Sequence, residues 1–334
     1  MKSKSRSMLA RCLVNMGSAM LCFTTLCATV GAAFAQQYPV RPITLVIPWQ
    51  AGGVPDTQLR LLAEIAAKPL GQPIVVENKP GGVGTLGPAA VAANAKPDGY
   101  TITYVGTGVF RTPFLVKTTY DPRKDFTYIG GLGQYLFGVV VRSDSQLKSW
   151  QDFVAFAKAN PGKLTYTTFG VNSALHIAME GIALNLGIRL RHIPSRGNAE
   201  NNAAVLGGHV MASADGSAWA PLVDSGDFRL LVTWGKTRSK RWPNVPNLKE
   251  VGVDLAETMP YGLAGPAGMD PKVVSTIYKA FQTAMHDQRH LELLKKYDME
   301  MFDLAPQDFS KWALNEIDRQ QALIAKFADK GEKK

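Results

Sequence analysis

Three patterns in this chain have the residue types and spacing of known chemistry. Ser173 and His176 stand three apart, the material of a nucleophile and its base. A hydrolase also needs an acid converging on them, and no G-x-S-x-G elbow is present. Ser173 instead precedes an apolar helical run, where its hydroxyl would cap the helix. His286 and His290 share a helix face at a spacing that can bind zinc. The glutamate of H-E-x-x-H is missing and the neighbours are polar and basic, so a solvated face is expected. Gly82-Val83-Gly84-Thr85-Leu86-Gly87 spells G-x-G-x-x-G, but the ribose-binding acid due about 20 residues on is absent from Thr103–Gly106. A tight strand-to-helix turn accounts for it.

Two backbone-rich loops remain. Pro48-Trp49-Gln50-Ala51-Gly52-Gly53-Val54-Pro55-Asp56 follows the first predicted strand and precedes a helix, and Thr168-Phe169-Gly170-Val171-Asn172-Ser173 repeats the arrangement. Glycines let the backbone approach a ligand, and free N–H groups at a helix start attract an anion. Two such helix starts facing each other would clamp a carboxylate; taken alone, both loops are equally ordinary βα turns.

The elements that hold these loops alternate. Strands are expected at Ile43–Ile47, Ile74–Val76, Thr101–Val105, Leu164–Thr167 and Arg229–Trp234. Helices are expected at Thr57–Lys68, Leu86–Ala95, Ser149–Ala159, Ala174–Leu186 and Ala199–Leu206, then after Asp270-Pro271 and from Pro306 to Ala328. This α/β pattern predicts βαβ units and a largely parallel sheet. No tether divides the chain, so two domains would be joined by crossing strands, outward at Phe137–Val141 and back at Tyr261–Ala264.

The 334 residues are 46% hydrophobic and 19% charged, with a net charge of +10. Such a chain can build two cores, and disorder, collagen and a multi-span membrane protein are excluded. Its basic residues are scattered. The densest cluster, Arg238-Ser239-Lys240-Arg241-Trp242, precedes Pro243 and reads as a solvated loop, so no nucleic-acid partner is expected.

Lys2, Lys4, Arg6 and Arg11 precede a mostly apolar stretch, and Ala33-Phe34-Ala35 supplies a small-x-small cleavage site. Residues 1–35 therefore read as a cleaved secretory signal peptide, which places the protein in the periplasm. Asn15, Gly17, Ser18, Thr24 and Thr25 dilute the stretch below a span of about 20 apolar residues, so the protein is not expected to cross a membrane. Cys12, Cys22 and Cys27 all fall in this segment, and cleavage leaves no thiol. No metal and no cofactor are expected.

In order along the chain, "YPVRPITLVIPWQAGGVPDTQLRLLAE" (38–64), "LGQPIVVENKPGGVGTLG" (70–87), "KPDGYTI" (96–102), "YDPRKDF" (120–126), "FGVNSALH" (169–176), "HIPSRG" (192–197), "RSKRWPNVPNLKEVG" (238–252) and "YGLAGPAGMDPKVV" (261–274) resemble the periplasmic solute-binding receptors of tripartite tricarboxylate transporters, the Bug family. The resemblance implies a type II periplasmic binding protein fold, or Venus flytrap. Domain 1 would comprise 36–138 and 261–334, domain 2 would be 139–260, and the ligand cleft would lie between them. It implies a non-enzymatic, monomeric receptor that closes on a small carboxylate (di-, tri- or aromatic) and delivers it to the transporter's integral-membrane permease subunits. Carried onto this sequence, the first anion loop is Trp49, Ala51, Gly52, Gly53 and Asp56. The opposing loop is Gly170, Asn172, Ser173 and His176, Asp215 matches an acid near the ligand, and Gly106, Thr107 and Gly108 line the cleft. For Asp56 and His176 an orienting role stands beside ligand contact.

The departures bear on the ligand. Trp49 replaces the usual Phe, Gly170-Val171-Asn172-Ser173 stands for GxGS, Ser195-Arg196-Gly197 for YRG, and Thr112 beside Arg111 for an Asn. Asn172 could bond a distal polar group, and Arg111 could hold a second carboxylate unless it is simply exposed. Trp49 adds wall surface, and together these point to a bulky or aromatic carboxylate. Two alternatives remain: a sensor presenting its closed form to a membrane signalling kinase, and a hydrolase using Ser173, His176 and Asp215.

Overall fold

The computed structural model describes residues 38–255 and 258–331, so the expected signal peptide and its cysteines lie outside the described residues. The chain divides into a unit ending at Val40, of which only residues 38–40 are described, and a compact unit from Arg41 onward that contains every described strand and helix.

The first strands and helices alternate as β1 (Ile43–Ile47), α1 (Val54–Leu70), β2 (Ile74–Asn78), α2 (Leu86–Asn94), β3 (Thr101–Gly106) and α3 (Thr107–Arg111). A long strand, β4 (Phe126–Arg142), leads to α4 (Trp150–Ala159), β5 (Thr165–Thr168), α5 (Ala174–Leu186), β6 (Arg191–Pro194), α6 (Asn198–Leu206), β7 (Ala212–Gly216), α7 (Ala220–Asp224) and β8 (Phe228–Thr233). The chain returns through β9 (Thr258–Pro266) and ends with α8 (Pro271–Met285), α9 (Gln288–Lys296), β10 (Glu300–Met301) and α10 (Pro306–Gly331).

Local chemistry sets most boundaries. β1 is buried on both faces through Ile43, Leu45, Val46 and Ile47, as expected of a strand covered by helices. α1 starts at Gly53 with Pro55 in its first turn and stops at Gly71, which takes φ 67° in the left-handed region. Ser149 and Asp270 cap α4 and α8 by accepting from the N–H groups of Asp152 and Lys272. Gly82, Val83 and Gly84 have φ of 58°, 56° and 86°, confirming a tight turn before α2.

The sheet is mixed, not largely parallel. β1 lies parallel between β2 and β3, and β5 lies parallel between β6 and β7. β9 and β4 run antiparallel to their neighbours, and β4 spans both strand groups. The crossing falls within β4: Phe126–Leu136 pairs with β9, and Phe137–Arg142 pairs with β7 and β8. Phe137–Val141 thus lies just past the crossing, and Tyr261–Ala264 lies wholly in the first group, paired with β3. Glycine permits close approach here. A Cβ on Gly262 would overlap the carbonyl oxygen of Gly130 and stand 2.5 Å from Phe309.

Two expectations of solvated surface do not hold. His290 is fully buried, with Nε2 2.9 Å from Gln58 Nε2 and Nδ1 2.8 Å from the Met285 carbonyl, because α9 packs this side chain inward against α1. Arg241 donates to the carbonyls of Lys295 and Lys296 at the end of α9 and to Asp224 on α7, while Trp242 packs on Trp219 at 5.3 Å. Among the described residues no helix is long and apolar enough to cross a membrane, and no His, Cys, Asp and Glu cluster is suited to a metal.

Candidate functional site

A cavity of about 60 Å³ opens where the strand ends of both groups meet. One water needs roughly 10–15 Å³, so the space suits a small molecule. Trp49, Gln50, Ala51 and Gly53, Val54 and Pro55 form one wall, between β1 and α1. Arg196, Gly197, Asn198, Ala199 and Glu200 face them from the start of α6, with Asp215 and Gly216 at the end of β7. Tyr135, Phe169, Ala218 and Met259 complete it. Ligand sites in α/β sheets form at such carboxyl ends of strands.

The first wall is braced from behind. Asp56 Oδ2 accepts from Gly52 N at 2.9 Å, and its two oxygens accept from Arg60 Nε at 3.0 Å. Asn78 Nδ2 donates to Asp56 Oδ1 at 2.8 Å and to the Trp49 carbonyl at 2.9 Å. Burial pushes the Asp56 carboxyl up, but the bonds from Arg60, Asn78 and Gly52 outweigh it and hold the group below its ordinary 3.8. Asp56 is buried and does not line the cavity; it shapes the loop that does. Asp56→Ala is expected to cost about 1–3 kcal/mol, since it strands the Gly52 N–H and the Asn78 amide. A depressed carboxyl stabilises above its unfolded value and loses that contribution as pH falls through its folded one. Urea unfolding below about pH 4 should therefore show wild type losing stability more steeply than Asp56→Ala.

The second wall hangs on Asp215. Its Oδ1 accepts from Asn198 Nδ2 at 2.6 Å and from Gly216 N at 2.7 Å, and its Oδ2 accepts from Asn201 Nδ2 at 2.6 Å. The hydroxyls of Thr167 and Ser195 donate to Asn201 Oδ1 at 2.7 and 2.6 Å, which fixes the orientation of that amide. Burial pushes Asp215 up to about 6 against the opposing effect of Asn201, Asn198 and Gly216. The first turns of α1 and α6 present N–H groups that no helix can satisfy internally.

The expected opposing loop is largely elsewhere. Ser173 Oγ accepts from His176 N at 3.1 Å as the cap of α5, and His176 Nδ1 accepts from Asn172 N at 3.1 Å. The His176 ring stacks on His192 at 4.2 Å, and burial lowers its pKa. Gly170, Ser173 and His176 do not line the cavity, and Asn172 borders adjoining spaces instead of it. Ser173 Oγ meets the His176 backbone and not its ring, the His176 ring accepts from Asn172, and Asp215 accepts from Asn198 and Asn201. Thr107 and Arg111 are buried away from the cavity. Arg111 Nε donates to Gln320 Oε1 at 2.6 Å beneath α10, so it is not exposed and does not line the cavity.

Of the expected residues, Trp49, Ala51, Gly53 and Asp215 line this cavity, Gly52 and Asp56 shape its first loop, and the start of α6 faces them. Sequence reasoning placed Phe169 only in the second loop and Arg196-Gly197 only in a motif departure, and it singled out neither Tyr135 and Met259 nor Asn198–Glu200. Gly197, a side-chain-free residue before Asn198 with an acid two positions further on at Glu200, was the available signal.

The family model for the "Tripartite tricarboxylate transporter family receptor" matches residues 58–328. A Cupriavidus necator protein described as "UPF0065 protein in gbd 5'region" is 46% identical over 302 residues, 90% of this chain and 92% of its own. The periplasmic binding protein BugD superposes with a TM-score of 0.80 at 28% identity, covering 86% of this chain and 98% of that one. MatC from Rhodopseudomonas palustris, solved with bound malate, gives 0.78 at 26% identity over 86% and 100%. By this match over most of its length, the chain belongs to the tripartite tricarboxylate transporter receptor family, whose members are periplasmic solute-binding receptors rather than enzymes.

Proposed function

We propose that this protein captures a small carboxylate by closing two lobes over it and delivers it to the membrane permease of a tripartite transporter. The lobes are 36–138 with 261–334, and 139–260; the mature receptor, cleaved after Ala35, works as a periplasmic monomer. The observation that carries this reading is the pair of helix starts, Gly53 of α1 and Gly197 of α6, that face one cavity from opposite strand groups. Helix N-termini hold anions through backbone N–H groups and the local dipole, and Trp49, Ala51, Gly53, Asn198 and Ala199 supply that surface here. The malate in MatC supports the ligand class.

A thermal-shift screen of the purified protein tests it. A ligand that binds only the folded state adds about 2.7 kcal/mol at a hundredfold excess over Kd, so one or more carboxylates should raise Tm clearly and in proportion to log concentration. No response to mono-, di- or tricarboxylates, with a shift from sugars or amines, would overturn the reading.

A further inference from the structure

Trp49 borders two spaces. Together with Phe169 and Met259 it separates the main cavity from a second one of about 10 Å³, room for a single water, that reaches Tyr104, Gly106, Gly108 and Asn172. The indole is held on three sides. It meets Tyr104 edge-on at 6.2 Å and Phe169 edge-on at 5.5 Å, each at 79°. Its benzene edge rests over Gly84, where a Cβ would stand 2.9 Å from Cζ2 and 3.0 Å from Cη2. The Trp49 backbone carbonyl accepts from Asn78. The Phe169 contact comes from the opposite strand group, so the wall is completed where the two groups meet.

A ring fixed on three sides and lining both spaces acts as a wall between them. We propose that Trp49, backed by Phe169, sets the upper length of the ligand: the closed cleft admits a compact carboxylate of succinate size and excludes longer diacids, which would need the space the indole fills. This rests on the carboxylate reading above and narrows it, away from the bulky or aromatic ligand that the sequence suggested. Truncating the ring joins the two spaces and lets a longer chain run from the helix starts toward Gly106 and Gly108.

Calorimetric titration with succinate, adipate and suberate, on wild type, Trp49→Ala and Phe169→Ala, is the test, with circular dichroism confirming folding. In wild type the affinity should fall at least about tenfold from succinate to suberate, since a single misfit methylene is worth about that much. In both variants the suberate-to-succinate ratio should rise by about tenfold or more, whatever happens to absolute affinity. Phe169→Ala opens the same wall from the other side and carries the test alone if Trp49→Ala fails to fold. A ratio unchanged in the folded variants, or wild type binding suberate as tightly as succinate, overturns the length limit while leaving carboxylate capture intact. Wild type binding none of the diacids, nor any other carboxylate, overturns both.

Discussion

Asp215→Ala is expected to lower stability by about 2–4 kcal/mol and ligand affinity by ten- to a hundredfold, read by urea unfolding and by calorimetric titration. The carboxylate satisfies Asn198 Nδ2, Asn201 Nδ2 and Gly216 N at once, and alanine strands all three beside the cleft. Asn201 cannot turn round to compensate, because its Oδ1 already serves Thr167 and Ser195. Asn198 is the first residue of α6, so losing its tether loosens the helix start that faces the ligand. Asp215→Asn separates shape from charge. Burial holds the wild-type carboxyl at about 6, so its stabilising effect is full below 3.8 and is lost as pH rises through about 6, a swing of roughly 3 kcal/mol. The asparagine variant should lack that slope. For an anionic ligand, wild-type affinity should rise as pH falls from about 7.5 to 5.5, when the wall loses its negative charge, and Asp215→Asn should flatten the dependence. His192, pushed down to about 4 by burial and by His176, stays neutral throughout and does not confuse the reading.

Gly262→Ala should be the most damaging single methyl group in the molecule. Its Cβ would collide with the Gly130 carbonyl and approach Phe309 and its neighbours in the core beneath α10. Neither side yields cheaply, since the oxygen is backbone and Phe309 is fully buried. Relief requires parting β4 from β9 within the first strand group, at a cost of at least about 3 kcal/mol. Urea midpoints and soluble yield would report it. Gly197→Ala is the matched control: its Cβ would meet nothing within 4 Å, and its φ of 162° is extended backbone, so stability should change by no more than about 0.5 kcal/mol.

Local signals decided what the sequence could reveal. The apolar run of β1, the caps Ser149 and Asp270, and the glycine turn before α2 are written in neighbouring residues, and the structure has each of them where expected. β7 is not legible, because Ala-Ser-Ala-Asp-Gly has the composition of a turn and becomes a strand only by lying buried between β4 and β5. The wall that α6 forms in this cavity is not legible for a similar reason. Ser173 announces a well-capped helix, and a cap that uses its own hydroxyl on the backbone signals a finished terminus as readily as a binding one. Arg111 is paired with Gln320, far along the chain, and no local pattern distinguishes such a buried arginine from an exposed one.

The place of β9 also governs the order in which the chain can fold. β3 pairs with β1 on one side and with β9 on the other, and β9 does not exist until Thr258–Pro266 has been synthesised. Until then Ile102, Tyr104 and Val105, all buried in the finished protein, sit on an open strand edge that any other chain can extend. β4 waits for the same partner along Phe126–Leu136. A nascent or truncated chain ending before Thr258 therefore carries two unpaired apolar edges, and aggregation during biogenesis, more than marginal stability once folded, is the hazard this topology imposes.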